Sequence, residues 1–166
     1  VRQKRLSDYA YFVMQEADHQ LYKESAVEEL RLGNERASDI DERIAGILDM
    51  LNLTDFAQHH PYALSGGQKQ RLTIGTAMAS SKPIVVLDEP TSGLDWGNMC
   101  AVAQAINQLR ESGRLVFVIT HDIELVDLTA TRVLALAEGR IADDFPLSSQ
   151  AALERTRQIM LGGGLL

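Results

Sequence analysis

The 166-residue chain holds a single cysteine, Cys100, so no internal disulfide can brace it. That shortage fits a reducing, cytosolic setting. Positive charge is also scarce: 16 lysines and arginines stand against 23 aspartates and glutamates, a net charge of -7. With a pI near 5.0, the balance argues against a broad nucleic-acid surface. No apolar run nears the ~20 residues of a membrane-spanning helix. The longest, residues 84–87 and 115–119, have strand length. Residues 1–6 are basic but no apolar stretch follows them, so no signal peptide is expected. No glycine precedes Gly33, which excludes a glycine-rich GxxGxGK(S/T) loop from the residues before it.

What is present reads as one globular domain or part of one, with 45% hydrophobic and 23% charged residues. Residues 9–14 (YAYFVM) predict a short buried strand, after which residues 15–20 turn polar. Residues 25–32 predict a helix with Ser25 as N-cap and Gly33 and Asn34 as its stop. A second helix is expected over 39–53, with Ile40, Ile44, Ile47, Leu48 and Leu51 on one face. Pro61 precedes a third, starting after Ser65 and running toward Ser81.

The pattern then changes. Residues 84–87 (IVVL) and 115–119 (LVFVI) read as fully buried strands, separated by an amphipathic helix over 98–110. That helix points Met99, Val102, Ala103, Ile106 and Leu109 inward. A short helix over 123–129, a strand over 132–136, a turn at Gly139 into residues 140–142 and a helix over 148–161 complete the chain, with Gly162 to Gly164 as a frayed end. Strand and helix alternating in this way predict an α/β fold with a mostly parallel sheet, beside a helical insert at residues 25–81. The expected division is 1–24, 25–81, 82–147 and 148–166.

Five clusters of residues carry chemistry. Ser65-Gly66-Gly67-Gln68 follows Leu64; a serine opens a helix whose first amides are bare of Cβ atoms, which suits either a phosphate or a plain flexible helix start. Asp88 and Glu89 end the strand over 84–87. At that edge of an α/β sheet, Asp88 could hold Mg²⁺ and Glu89 polarise a water, or the two could be solvated acids. Ser92-Gly93-Leu94-Asp95 comes next, and Thr120-His121-Asp122 follows the strand over 115–119. His121 could donate to a phosphate oxygen or be an ordinary loop histidine. Gln15 ends the first strand. His59 and His60 lack acidic or cysteine neighbours to make a metal set and read as solvated, as does His19. Cys100 faces no base in sequence and reads as inert.

In this order, a glutamine, LSGGQ, a strand ending Asp-Glu, SGLD and a strand followed by Thr-His resemble the ABC ATPase family over residues 9–143. The resemblance implies a P-loop NTPase (RecA-like) core and assigns roles. Gln15 is the Q-loop glutamine, near nucleotide and metal. Ser65, Gly66, Gly67 and Gln68 are the signature facing a partner's ATP. Asp88 is the Mg²⁺ aspartate, Glu89 the general base, Asp95 the D-loop aspartate and His121 the γ-phosphate sensor. The stretches Gln15–Tyr22 and Ser25–Leu30 are similar to cobalt-type and energy-coupling-factor ATPases, which drive uptake of vitamins and metal ions.

The resemblance also implies a second cassette as partner, in a homodimer, a heterodimer or a tandem chain, and an integral membrane subunit. It implies a place on the cytoplasmic face of the membrane, with ATP and Mg²⁺ as cofactors and no nucleic acid. The alternative is a non-transport relative acting on nucleic acid or the ribosome, against which the acidic pI counts. The family's GxxGxGK(S/T) loop is absent from residues 1–166. This chain alone is therefore expected neither to bind nor to hydrolyse ATP. An exposed apolar sheet edge or face, with self-association of the chain, is a further expectation. Trp96 stands where the family often has proline and reads as a surface variation.

Overall fold

The computed structural model describes residues 5–34 and 38–162. Gly163 and Gly164, expected in the frayed end, lie outside the described residues. The elements run β1 (Ala10–Val13), α1 (Ala26–Arg31), α2 (Ile40–Met50), α3 (Gly66–Ala79), β2 (Ile84–Asp88), α4 (Trp96–Glu111), β3 (Leu115–Ile119), α5 (Ile123–Thr129), β4 (Arg132–Ala137), β5 (Arg140–Pro146) and α6 (Gln150–Met160). They form two compact units, Val1–Ile119 and Thr120–Leu166.

In the first unit β1, β2 and β3 form a parallel sheet in that order, with Val13 opposite Leu87 and Asp88 opposite Ile119. Alternation puts Val13, Val85 and Leu87 on one face, all buried. The other face carries Phe12, Leu115, Phe117 and Ile119, all exposed, with Ile84 and Val86 half-buried. The three strands expected as buried are therefore covered on one face only. A short apolar run reads alike whether one face or both are covered. An exposed apolar sheet face was expected and is present.

The helical insert is built around α3. Ser65 caps it: its hydroxyl accepts from the Gln68 amide at 3.3 Å, and the Gln68 side chain accepts from the Ser65 amide at 2.8 Å. Beyond the first turn α3 is buried almost all round, polar residues included: Gln70, Arg71 and Thr73 are buried beside Leu72, Ile74 and Ala77. It is the central helix of the unit, packed by α1, α2 and α4. Its C-terminal end has no glycine cap; the Ala77 carbonyl accepts from Arg114 at 3.0 Å and the Ala79 carbonyl from Arg43 at 3.0 Å. Two cations thus meet the negative end of the helix dipole.

The five residues expected inward, Ile40, Ile44, Ile47 and Leu48 on α2 and Leu51 just past its end, are all buried. The helix ends at Met50, three residues short of the expected bound, because Asn52 turns left-handed at φ 54°. The five α4 residues expected inward are also buried. That helix starts two residues early, because Asp95 is its N-cap, accepting from the Asn98 amide at 2.8 Å. Trp96 is accordingly an exposed first-turn residue, and Cys100 is half-buried on the same helix.

In the second unit β4 and β5 pair antiparallel, with a bulge between Ala135 and Leu136. The β5 strand reaches Pro146, longer than the expected 140–142. Its outer half is held by a bidentate Arg132–Asp144 pair, with N···O distances of 2.7 and 2.9 Å. Ser149 caps α6, which buries Leu153 and Thr156.

Candidate nucleotide-facing site

The C-terminal ends of parallel strands share one edge of the sheet, so β1 and β2 deliver Gln15 and the Asp88-Glu89 pair to the same edge. Asp88 is half-buried at the end of β2, and Gln15 is exposed in the loop after β1. Glu89 adopts φ 47°, the left-handed region that a residue with a Cβ rarely enters. Its amide donates to the Ile119 carbonyl at 2.9 Å, and its own carbonyl accepts from Ser92 at 3.2 Å and from the Gln70 side chain at 3.5 Å. β3, α3 and the turn after β2 thus hold the strained residue. Such strain is kept where the surroundings over-determine it, and it gathers at functional sites.

The turn that follows is anchored to the signature. The Leu94 amide donates to the Thr91 carbonyl at 3.1 Å, and Gly93 sits at φ 72°. A Cβ added to Gly67 would lie 3.0 Å from the Leu94 Cδ2, so glycine at this position lets α3 and this turn approach closely without displacing the Leu94 side chain. A Cβ added to Gly66 would meet nothing within 4 Å. The space over Gly66 is open to a group from outside the chain.

Arg71 is buried one turn along α3, and its Nε donates to the Leu51 carbonyl at 2.8 Å. Burial pulls its guanidinium below the usual value, and the charge of Asp95 opposes that. Asp95 in turn is held below the usual carboxylate range, chiefly by the Asn98 amide; the Asn98 side chain, the Arg71 charge and the Gly97 amide add to this, against partial desolvation. The sign is clear. A carboxyl whose folded pKa is lowered stabilises the fold above its unfolded pKa, about pH 4, and loses that contribution as pH falls through the folded value. Asp95→Asn, still a good cap, is expected to change the urea midpoint little at pH 7. Below pH 4 its midpoint should fall less steeply than that of the wild type. Parallel acid limbs for the two chains would refute this.

His121 is the second residue of the second unit, two residues after Ile119. Its loop is set locally: the Asp122 amide donates to Thr120 Oγ1 at 3.0 Å, and Asp122 caps α5 by accepting from the Glu124 and Leu125 amides. The first unit thus brings together Asp88, Glu89, Asp95, the Ser65–Gln68 turn and the Gln15 edge, and His121 is described with the second. Among the other histidines, the Nδ1 of His60 accepts from the Tyr62 amide at 3.2 Å, His59 lies against Phe56, and His19 pairs with Glu16. No cluster of three metal-binding side chains occurs among the described residues.

Gln70 and Arg71 were not singled out from sequence, and Leu94 was named only as part of the Ser92–Asp95 motif. A weak signal was there: Gln70, Arg71 and Thr73 stand among Leu72, Ile74 and Ala77 in the interior of the helix. Leu94 gave no signal of its packing.

The profile of the ABC transporter family matches residues 2–92. The chain belongs to the ABC transporter family. A putative ABC transporter ATP-binding protein of Treponema denticola is 39% identical over 148 residues, 89% of this chain and 30% of that protein. A Bacillus subtilis protein named as a putative HMP/thiamine import ATP-binding protein is 33% identical over 143 residues, 86% of this chain and 26% of its own length. The dimeric ATP-binding cassette MJ0796, solved in a post-hydrolysis state with ADP and Pi, superposes with a TM-score of 0.71 at 30% identity, covering 85% of this chain and 64% of that one. The fold is thus the α/β fold of ABC cassettes. The chain spans under a third of the length of those two curated relatives.

Proposed function

We propose that this chain supplies the signature, Walker B, D-loop and Q-loop parts of an ATP-hydrolysing subunit of a membrane transporter. One observation carries the reading. The Ser65–Gln68 helix start, open above Gly66, is packed through Gly67 onto the turn that joins strained Glu89 to Asp95. In this reading Ser65, Gly66, Gly67 and Gln68 face ATP held by a second cassette, and Asp95 helps to shape that interface. Glu89 polarises the attacking water, His121 contacts the γ-phosphate, and Gln15 senses the nucleotide. Asp88, with the Gln15 amide oxygen, would hold Mg²⁺. A sparse set of hard oxygen donors suits that ion, which keeps several waters and takes other ligands from phosphates. When bound, Mg²⁺ would neutralise charge on the phosphates.

The helical insert, residues 25–81, and the Gln15 loop would pass nucleotide-driven motion to a membrane partner at the cytoplasmic face. No helix among the described residues is long and apolar enough to cross a membrane itself. The finer reading is energy-coupling-factor uptake of a vitamin or metal ion. The residues around Gln15 and the thiamine-related name of the Bacillus subtilis relative support it. The exposed sheet face supports self-association of the chain.

Two measurements test this. Isothermal titration of the chain with Mg-ATP is expected to give no heat of binding, because no GxxGxGK(S/T) loop lies within residues 1–166. Micromolar affinity would overturn that expectation. Affinity purification from membranes is expected to recover a hydrophobic membrane subunit, whereas ribosomes or DNA would overturn the transport reading.

A further inference from the structure

Among the three strands of the sheet β1 is an outer one, and its free edge has no strand beside it among the described residues. A side chain partners that edge instead. The Met14 amide donates to Gln20 Oε1 at 2.7 Å, and Gln20 Nε2 donates to the Phe12 carbonyl at 2.7 Å. A primary carboxamide carries the same donor and acceptor as a peptide group, so Gln20 pairs with β1 much as one residue of a neighbouring strand would. The two contacts fix which atom is oxygen and which is nitrogen. They also close residues 14–20 into a ring, and Gln15 is a member of that ring.

The same loop is tied at its crown. Asp18 pairs with Lys69 Nζ at 2.6 Å, and the Lys69 side chain is only 15% exposed. Lys69 stands on α3, next to Gln68 of the signature turn. Ala17 and Leu21 are buried and anchor the flanks.

We propose that Gln20 is a positioning residue: its carboxamide closes the loop that carries Gln15, and the Asp18–Lys69 pair couples that loop to the helix beginning at the signature. The proposal rests on the reading of Gln15 as a nucleotide- and metal-facing residue. It adds a residue whose action is through Gln15 and which needs both hydrogen-bonding functions of an amide. Glutamate at this place keeps the acceptor and sets a carboxylate oxygen against the Phe12 carbonyl. Asparagine is a methylene short, and leucine offers neither function.

The test is residue-resolved amide exchange and backbone relaxation on the full chain, without nucleotide. In the wild type the Met14 amide is expected to be protected and Gln15 ordered. In Gln20→Leu, Met14 exchange should rise about tenfold or more. The order parameter of Gln15 should fall from about 0.85 to below about 0.6. The amides of Val85 and Leu87 in β2 should be unchanged. Lys69→Met should speed exchange over residues 17–19 and leave Met14 protected. If Gln20→Leu also loosens β2, Gln20→Glu decides: partial acceleration confined to residues 13–20 supports the proposal, and a wild-type pattern overturns it. A Met14 amide that exchanges at the free-peptide rate in the wild type also overturns it. Absence of ATP turnover in the assembled transporter would instead defeat the functional reading and leave the exchange result standing.

Discussion

Glu89→Gln is expected to lower ATP turnover by the assembled cassettes by about two to four orders of magnitude, the range for loss of a positioned general base. An amide of the same size keeps the local packing but cannot take a proton. The backbone at this residue allows a sharper experiment. Glu89 sits at φ 47°, where a side chain costs about 1–2 kcal/mol. Glycine would release that strain and lose about 0.5–1 kcal/mol to the greater freedom of the unfolded chain. Glu89→Gly is therefore expected to leave the urea midpoint unchanged or slightly raised while abolishing turnover. A variant that unfolds earlier than wild type would show that Glu89 is a structural residue. A variant with intact turnover would remove it from the chemistry.

Gly75→Val is expected to destabilise the first unit by about 3 kcal/mol, toward the upper end for overpacking a core. A Cβ at this position in α3 would lie 2.9 Å from Leu30, 3.1 Å from Ile47 and 3.2 Å from Leu51. All three neighbours are buried, so none can swing into solvent. Gly75→Ala sets two effects against each other. Alanine gains up to about 1 kcal/mol of helix propensity, and the three-way crowding costs about 1–3 kcal/mol. Crowding is expected to win by about 1 kcal/mol. The matching control is Gly46, exposed in the interior of α2, where a Cβ meets nothing within 4 Å. Gly46→Ala should stabilise by about 0.5–1 kcal/mol. Denaturation midpoints that rise for both alanine variants would show that α1 and α2 do not close on α3 as described.

Much of the fold was legible in the residues. The periodicity of α2 and α4 named ten inward positions, and all ten are buried. Ser25 and Ser65 were legible as caps because a cap is a local device, read from a serine and the residue three places on. The parallel pairing of β2 and β3 followed from strand and helix alternation, whereas β4, which the same alternation assigned to the parallel sheet, pairs antiparallel with β5 because the tight turn at Gly139 folds β5 back on it. Strand burial was misread, since an apolar run states that a face can be covered and not which neighbour covers it. Asp95 was recognised as part of a motif, and its second duty as the cap of α4 was not.

The sequence by itself determined the order of the motifs, the family they belong to and the helices and strands that carry them. Each of these is written in neighbouring residues or in short periods. Only the tertiary structure decided that Glu89 is strained, that Gly67 makes room for Leu94 and Gly75 for three side chains, and that Arg71 reaches the Leu51 carbonyl. Only it revealed that Gln20 folds back on β1 and that Asp18 meets Lys69. The physical reason is common to all of them. Strain, close approach and burial of a polar group depend on which segments meet in space, and no local pattern of residues encodes that meeting.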